Sequence, residues 1–255
     1  MEKTLTAAQI RSIRSLQQKK FRQETSLFVV EGEKLVGEAL DSGFEVEGVY
    51  RTDEIGIKVM ERISSLSSPS PVLAVLRQKK YSPDSISLKK GRLYLLLDGV
   101  KDPGNMGTMI RLADWFGVSA VFCSMDCVEL YNPKTVQATM GAVFRVPVVY
   151  CDLCQVVAAA GNNDIPVFGT FLDGSPVTSD KSFAQTAGKG SAIVMGSESN
   201  GISPELASAI PQSRHILIPS FDVSGNPKVA GDTTGSESMN VATACAAILS
   251  LIRTR

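Results

Sequence analysis

The strongest constraint on the fold is a series of short apolar runs, separated by helical stretches, that begins at residue 93. Leu93–Leu97 reads Leu-Tyr-Leu-Leu-Leu, is apolar without alternation and ends at Asp98. Such a run is typical of a strand buried on both faces, as in a parallel sheet. The later runs that we interpret as strands are 120–123, 146–150, 166–169, 192–195 and 215–218. Together with a closing helix over about 240–252, they predict an α/β fold with a mostly parallel sheet and helices on both faces.

The first 80 residues predict a smaller α/β domain. Its predicted helices cover 6–22, 33–40 and 54–63, and its predicted strands cover 27–30, 46–50 and 72–76. Residues 81–91 are polar and contain Pro83, so they are interpreted as a linker. The predicted domains are therefore 1–80 and 92–255.

Composition permits a folded core, since 44% of the 255 residues are hydrophobic and 20% are charged. The formal net charge is zero, which neither requires nor excludes a nucleic-acid partner. One stretch, Gln9–Arg22, is basic without an acidic residue. It is either a solvated helix face or a surface that contacts phosphates through Arg11, Arg14, Lys19, Lys20 and Arg22.

Location and redox state follow from simple counts. No apolar run approaches the roughly 18 residues of a membrane span, and no secretory signal is visible. Five cysteines are an odd number, so a disulfide framework is not expected. We therefore expect a cytoplasmic protein with reduced thiols. Cys123, Cys127, Cys151 and Cys154 leave a four-thiolate zinc site open, although ordinary buried positions explain them better.

A first loop with chemical character follows the strand 93–97. Pro103 and Gly104 suit a turn into a helix. Asn105 is a good candidate for the helix cap. Arg111 lies about two helical turns further on, within an apolar stretch, where burial would require an anionic partner.

A second loop follows the strand 192–195. Gly196 and Gly201 give a G-x-x-x-x-G spacing, continued by Ile-Ser where a nucleoside triphosphatase needs Lys and then Ser or Thr. A nucleoside triphosphatase is therefore disfavoured. A dinucleotide site is also disfavoured, because no G-x-G-x-x-G follows a strand.

A third loop follows the strand 215–218. That strand ends at Pro219, and Ser238 is a candidate cap for the closing helix. Asn240 has poor helix propensity in an otherwise Ala-rich helix, so its side chain is expected to have another role.

These three loops resemble, in order, the three motifs of the SpoU/TrmH RNA methyltransferases of the SPOUT superfamily. The matching segments are Asp102-Pro-Gly-Asn105-x-Gly107 with Arg111-x-Ala113, Gly196-x-Glu198-x-x-Gly201-x-Ser203, and Ile218-Pro219 with Ser238-Met-Asn240-Val. The stretches 15–22 and 28–34 are similar to the family's accessory domain, which resembles RNA-binding ribosomal proteins. The resemblance extends over nearly the whole chain.

The resemblance implies a trefoil-knotted C-terminal domain that binds S-adenosylmethionine and works as a homodimer on structured RNA. It implies 2′-O-methylation of a ribose, with ribosomal RNA favoured over transfer RNA, and no metal. Arg111 is the expected catalytic residue, as proton acceptor or as electrostatic clamp, and Asn105, Glu198 and Ser238 would orient it and the ribose. The expected cofactor-binding residues are Thr170, Gly196, Gly201, Ile218, Pro219, Met239 and Asn240.

The sequence departs from the family at one place, and two alternative functions remain open. The connection between Pro219 and Ser238 is longer than is usual in the family, so we expect residues 220–237 to act as a lid or to contact the substrate. The alternatives are a non-catalytic RNA-binding protein on the same scaffold and an RNA methyltransferase that acts on a base.

Overall fold

The computed structural model describes residues 4–177, 181–227 and 238–254, which form two compact units. The N-terminal unit contains the chain up to Lys80 together with Glu129–Arg145, and the C-terminal unit contains Tyr81–Val128 and the chain from Val146 onward. The predicted domains place residues 129–145 in the second domain, whereas in the structure this segment packs with the first.

The elements alternate as an α/β chain does. The strands are β1 Leu27–Glu31, β2 Val46–Arg51, β3 Val72–Arg77, β4 Leu93–Leu97, β5 Ala120–Cys123, β6 Val148–Tyr150, β7 Val167–Pro176, β8 Ser191–Met195 and β9 His215–Leu217. The helices are α1 Ala7–Ser15, α2 Lys19–Thr25, α3 Glu33–Asp41, α4 Thr52–Ile55, α5 Ile57–Ile63, α6 Pro103–Trp115, α7 Pro133–Thr139, α8 Leu153–Asn162, α9 Lys181–Gly188, α10 Pro204–Ala209 and α11 Val241–Arg253.

The N-terminal unit is built on a three-stranded antiparallel sheet with the order β1-β3-β2. Two predicted helices are each divided in the structure. The first breaks between α1 and α2, and the second breaks at Gly56, whose φ of 80° ends α4 and starts α5. Thr6 and Gln9 cap α1 reciprocally, and this orients its apolar residues Ile10 and Ile13 toward the core.

The segment 129–145 completes the N-terminal unit through specific contacts. Glu129 accepts hydrogen bonds from the guanidinium of Arg22, whose side chain is only 2% exposed. The ring of Tyr131 lies 4.4 Å from that of Phe28, and its hydroxyl donates to the carbonyl oxygen of Lys79 at 2.7 Å. Arg22 is therefore a structural residue, and it belongs neither to a solvated helix face nor to a phosphate-contacting surface, the two interpretations that the sequence left open.

The C-terminal unit contains a six-stranded sheet with the order β6-β5-β4-β8-β7-β9, in which every strand pair is parallel. Alternate residues of β4 point to opposite faces. Tyr94 and Leu96 pack in one core with α8 and α10. Leu93, Leu95 and Leu97 therefore point to the opposite face, where α11 packs against α6 and α9. The predicted parallel sheet with helices on both faces is confirmed.

Two further predictions concern the chain as a whole. Tracing a trefoil knot would require residues 228–237, which lie outside the described residues, so the knot stays a prediction. Within the described ranges, no helix combines the length and apolar character needed to cross a membrane.

Candidate active site

The sheet topology brings the three motif loops to one edge. Strands β4, β8, β7 and β9 are consecutive neighbours and run parallel, so their carboxyl ends meet at the same edge. The loops after β4, β8 and β9 contain residues 98–102, 196–203 and 218–227. In open parallel sheets this edge is where ligands bind.

The turn after β8 is closed by backbone contacts. Ser197 and Gly201 exchange hydrogen bonds of 2.9 and 3.0 Å between their amides and carbonyls. A Cβ atom on Gly196 would lie 2.1 Å from the carbonyl carbon of Gly201, so the two glycines approach too closely for any side chain. Gly201 has a φ of 66°, in the left-handed region. The turn itself therefore requires both predicted cofactor-site glycines.

Asn105 is the centre of a polar network that joins the three loops. Its Nδ2 donates to Oε1 of Glu198 at 2.5 Å, and its Oδ1 accepts a hydrogen bond from Nδ2 of Asn240 at 3.0 Å. Asp102, rather than Asn105, caps α6, because Oδ1 of Asp102 accepts from the backbone amide of Asn105 at 2.7 Å. The cap is therefore a different residue, and the Asn105 side chain is left to connect the other two loops.

The closing helix is capped by Asn240 and not by Ser238. Oδ1 of Asn240 accepts from the backbone amides of Ala242 and Thr243 at 3.0 and 3.2 Å. Helix α11 accordingly begins one residue later, at Val241. The expectation of a Ser238 cap is wrong, and Ser238 is exposed just before the network. Asn240 thus performs two tasks, which explains a poor helix former at this position.

Arg111 lies on the outer side of α6 and is exposed, between the buried residues Ile110 and Ala113. An anionic partner was expected only if Arg111 were buried, and because its side chain is exposed no such partner is required. Over the described ranges, Arg111 makes no hydrogen bond or ion pair with the other expected site residues. The structure thus brings Asn105, Glu198 and Asn240 together and leaves Arg111 available to a ligand.

The remaining expected cofactor residues are distributed over the ends of β7 and β9 and the start of α11. Thr170 pairs with Ile216, and its hydroxyl donates to the carbonyl oxygen of Val194 at 3.2 Å. Ile218 and Pro219 are half-buried, and the Met239 side chain is 50% exposed. Apolar side chains beside a glycine turn suit an adenosyl group, which needs apolar faces and backbone hydrogen-bonding groups. The residues present therefore fit S-adenosylmethionine.

Two of the four cysteines considered for a zinc site, Cys123 at the end of β5 and Cys127 in the loop that follows it, interact with each other. A hydrogen bond from Cys123 lowers the pKa of Cys127 to about 7, and the same contact raises the pKa of Cys123. Cys127 also accepts from the backbone amide of Val100 at 3.3 Å. Across the described part of the chain, no cluster of three or more potential metal ligands is found.

Sequence reasoning assigned no role to Asp98, although it stands at the centre of the edge. Its carboxylate is 8% exposed, and Oδ2 accepts from the backbone amide of Ser203 at 2.7 Å. The available signal was an acidic residue directly after a buried strand.

Comparisons with known proteins agree with this geometry. The sequence profile of the SpoU rRNA Methylase family matches residues 92–250, and that of the MRM3-like substrate binding domain matches residues 7–75. The 23S rRNA (guanosine(2553)-2′-O)-methyltransferase RlmP of Bacillus subtilis (strain 168) is 31% identical over 216 residues, which cover 77% of this chain and 82% of that protein.

Solved structures resemble the whole chain. A TrmH-family protein from Porphyromonas gingivalis has a TM-score of 0.79 and 33% sequence identity, with 98% of both chains covered. An AdoMet-bound rRNA methyltransferase from Sinorhizobium meliloti has a TM-score of 0.82 and 29% identity, with 99% of this chain and 97% of that chain covered. The similarity therefore includes both units.

Proposed function

This chain belongs to the SpoU rRNA methylase family, and we propose that it transfers a methyl group from S-adenosylmethionine to the 2′-hydroxyl of a ribose in structured RNA. The resemblance predicted from the three motifs is thereby confirmed. The observation that carries the proposal is the network in which Asn105 joins Glu198 and Asn240. The network holds side chains of all three motif loops within hydrogen-bonding distance at the edge of the sheet where ligands bind, which favours a catalytic site over a non-catalytic scaffold.

The cofactor supplies an electrophilic methyl group on a sulfonium, so the transfer needs no metal. The chain's own contribution is to hold and orient it. Glycine turns expose backbone groups for the adenine, and apolar side chains cover its faces. The residues proposed to line this site are Thr170, Gly196, Gly201, Ile218, Pro219, Met239 and Asn240.

Arg111 is proposed to act on the ribose. A 2′-hydroxyl is a poor nucleophile until its proton is removed or its oxygen is strongly polarised. Arginine retains its proton at neutral pH, because its pKa exceeds about 12. We therefore favour electrostatic stabilisation of the forming alkoxide, with a substrate phosphate or water taking the proton. The alternative role, direct proton acceptance, requires the guanidinium to be neutral.

The polar network is proposed to fix the ribose. Glu198 occupies one hydrogen of the Asn105 amide, and Asn240 occupies its carbonyl oxygen. The second Nδ2 hydrogen of this amide is then proposed to donate to the ribose. Ser238, exposed beside Asn240, supplies a further hydroxyl. Such preorganised donors lower the cost of ordering the substrate.

Ribosomal RNA is the proposed substrate, and transfer RNA is the alternative. The N-terminal unit matches a substrate-binding domain, and the similar B. subtilis protein is named as a 23S rRNA methyltransferase. Four basic side chains of α1 and α2 are exposed and can contact phosphates, namely Arg11, Arg14, Lys19 and Lys20. The proposed setting is the cytoplasm, which suits five free cysteines.

A homodimer through the C-terminal unit is also proposed. Trp115 is 81% exposed, and it lies one helical turn after Arg111 on the outer side of α6. A side chain this exposed is not part of the core, and a dimer contact would bury its large apolar ring. A partner on this side of α6 would also cover the neighbourhood of Arg111.

The insertion 220–237 is proposed to close over the site or to contact substrate. Its described part, up to Pro227, is an ordered turn in which Asp222 accepts from the amides of Ser224 and Asn226, both at 2.8 Å. The bond from Asn226 lowers the pKa of Asp222. Shortening the insertion should reduce transfer to RNA, and unchanged RNA activity would discard this role.

The function is tested by incubating the full-length protein with S-adenosylmethionine and ribosomal or transfer RNA, followed by nucleoside mass spectrometry. The proposal expects a 2′-O-methylated nucleoside, and loss of this product in an Asn105→Ala variant. A methyl group on a base would favour the base-directed alternative. RNA binding with no product would favour the non-catalytic one. Comparing RNA modification maps with and without the protein then identifies the nucleotide.

A further inference from the structure

We propose that Asp98 is a positioning residue, which holds the turn Gly196–Ser203 in the conformation that brings Glu198 to Asn105. This inference rests on the proposed function, because Glu198 and Asn105 belong to the proposed ribose site. Asp98 itself is placed behind the loops and is not assigned a contact with substrate or cofactor.

Asp98 binds both ends of the turn. Its backbone amide donates to the carbonyl oxygen of Met195 at 2.9 Å, where β8 ends. Its Oδ2 accepts from the backbone amide of Ser203 at 2.7 Å, where α10 begins. The entry and the exit of the turn are therefore attached to one residue at the end of β4.

The carboxylate supplies a bond that the turn does not make for itself. Ser203 is the cap residue of α10, but its side chain accepts no hydrogen bond from that helix. With the Asp98 side chain 8% exposed, water cannot easily replace it at the Ser203 amide. Removing the carboxylate would leave this amide without its acceptor and free the exit of the turn.

The turn is short and internally rigid, so a shift at its exit moves its tip. Ser197 and Gly201 are paired in both directions, and Gly196 packs directly against Gly201. Glu198 lies at the tip, between the two paired residues. A change at Ser203 is thus transmitted to the Glu198 carboxylate, and through it to the Asn105 amide.

Two variants remove the same hydrogen bond from opposite sides. Asp98→Ala deletes the acceptor. Ser203→Pro deletes the donor, and the φ of −59° at Ser203 lies in the range that a proline ring fixes. Asp98→Asn retains a carbonyl acceptor and serves as the conservative rescue. Asp152→Ala is the matched control, since Asp152 caps α8 in the same unit by accepting from the Cys154 amide at 2.9 Å.

The first readout needs no turnover. In NMR spectra of the full-length protein, Asp98→Ala and Ser203→Pro should shift the side-chain amide resonances of Asn105, and both should speed amide exchange within 197–203. Asp98→Asn and Asp152→Ala should do neither. Unchanged Asn105 resonances in both removal variants would overturn the proposal, whether or not the protein proves to be a methyltransferase. If Asp98→Ala fails to fold, Ser203→Pro decides the outcome alone.

The second readout is kinetic and isolates the route through Glu198. Asp98→Ala should lower kcat by about 10- to 100-fold with the KM for RNA unchanged, since orientation and not binding is lost. In a Glu198→Ala background the same substitution should have less than about a twofold further effect, because the two residues act as one unit. Multiplicative effects would contradict the proposal, and a wild-type protein without activity would instead refute the proposed function.

Discussion

The buried ion pair of the N-terminal unit makes a quantitative prediction about Glu129→Ala. The Arg22 side chain is 2% exposed, and its guanidinium is bound by Glu129 and by the carbonyl oxygen of Leu16 at 2.6 Å. Removing Glu129 leaves a buried cation with one neutral acceptor. Breaking a buried pair in this way costs about 3–5 kcal/mol. Because Glu129 is 20% exposed and water can enter its place, we expect the lower end of that range, about 3 kcal/mol.

Urea unfolding monitored by circular dichroism measures this cost. With a slope of about 2 kcal/mol per molar urea, a loss of about 3 kcal/mol lowers the midpoint of the N-terminal unit by about 1.5 M. Glu24→Gln is the control, because Glu24 pairs with Lys20 at 3.9 Å with both side chains largely exposed, and its midpoint should not change. A midpoint shift below about 0.3 M for Glu129→Ala would refute the conclusion that residues 129–145 are integral to this unit.

Three further predictions concern the C-terminal unit. Gly196→Ala forces a methyl group against the Gly201 backbone at 2.1 Å, so calorimetry should show at least about tenfold weaker S-adenosylmethionine binding; unchanged affinity would contradict the close approach. Burial raises the pKa of Cys245 to about 12 from an ordinary value of 9.0. The unfolded thiol therefore ionises above pH 9 while the native one stays protonated, and stability should fall there by about 1.4 kcal/mol per pH unit. Cys245→Ala should remove this part of the alkaline slope, and an identical slope would argue against burial as its cause. Trp115 is the only tryptophan, so its emission should shift to shorter wavelength as protein concentration drives dimer formation. A constant spectrum, together with a monomeric mass in light scattering, would argue against the proposed interface.

The sheet of the C-terminal unit was predictable because its strands are buried on both faces. An apolar run such as Leu93–Leu97 leaves few alternatives, and the structure places β4 at the predicted residues. The third loop was predicted less accurately, because Ser238 and Asn240 are both good caps and the sequence does not rank them. In the structure Asn240 is the cap, and its side chain is also held by a hydrogen bond to Asn105. That bond joins residues 135 positions apart in the sequence.

Long-range contacts explain most of the remaining differences. The basic stretch 9–22 reads as a surface, yet Arg22 is buried because its partner Glu129 lies 107 positions away. Strand β7 extends beyond the predicted 166–169 to Pro176, since it pairs a second time with β9 after a register shift. Gly174 permits this, as a Cβ atom there would lie 2.6 Å from the backbone of Ile216. Neither Glu129, the partner of Arg22, nor β9, the partner of β7, can be inferred from the residues next to them in the sequence.

The role of Arg111 is the central claim, and it is tested most directly by separating turnover from cofactor binding. Arg111→Ala should reduce methyl transfer to the ribose by about a hundred- to a thousandfold, as expected when a charge that stabilises the transition state is removed. Calorimetry on the same variant should give a dissociation constant for S-adenosylmethionine within about twofold of wild type, since Arg111 is not among the proposed cofactor contacts. Retained transfer, or lost cofactor binding, would contradict this assignment.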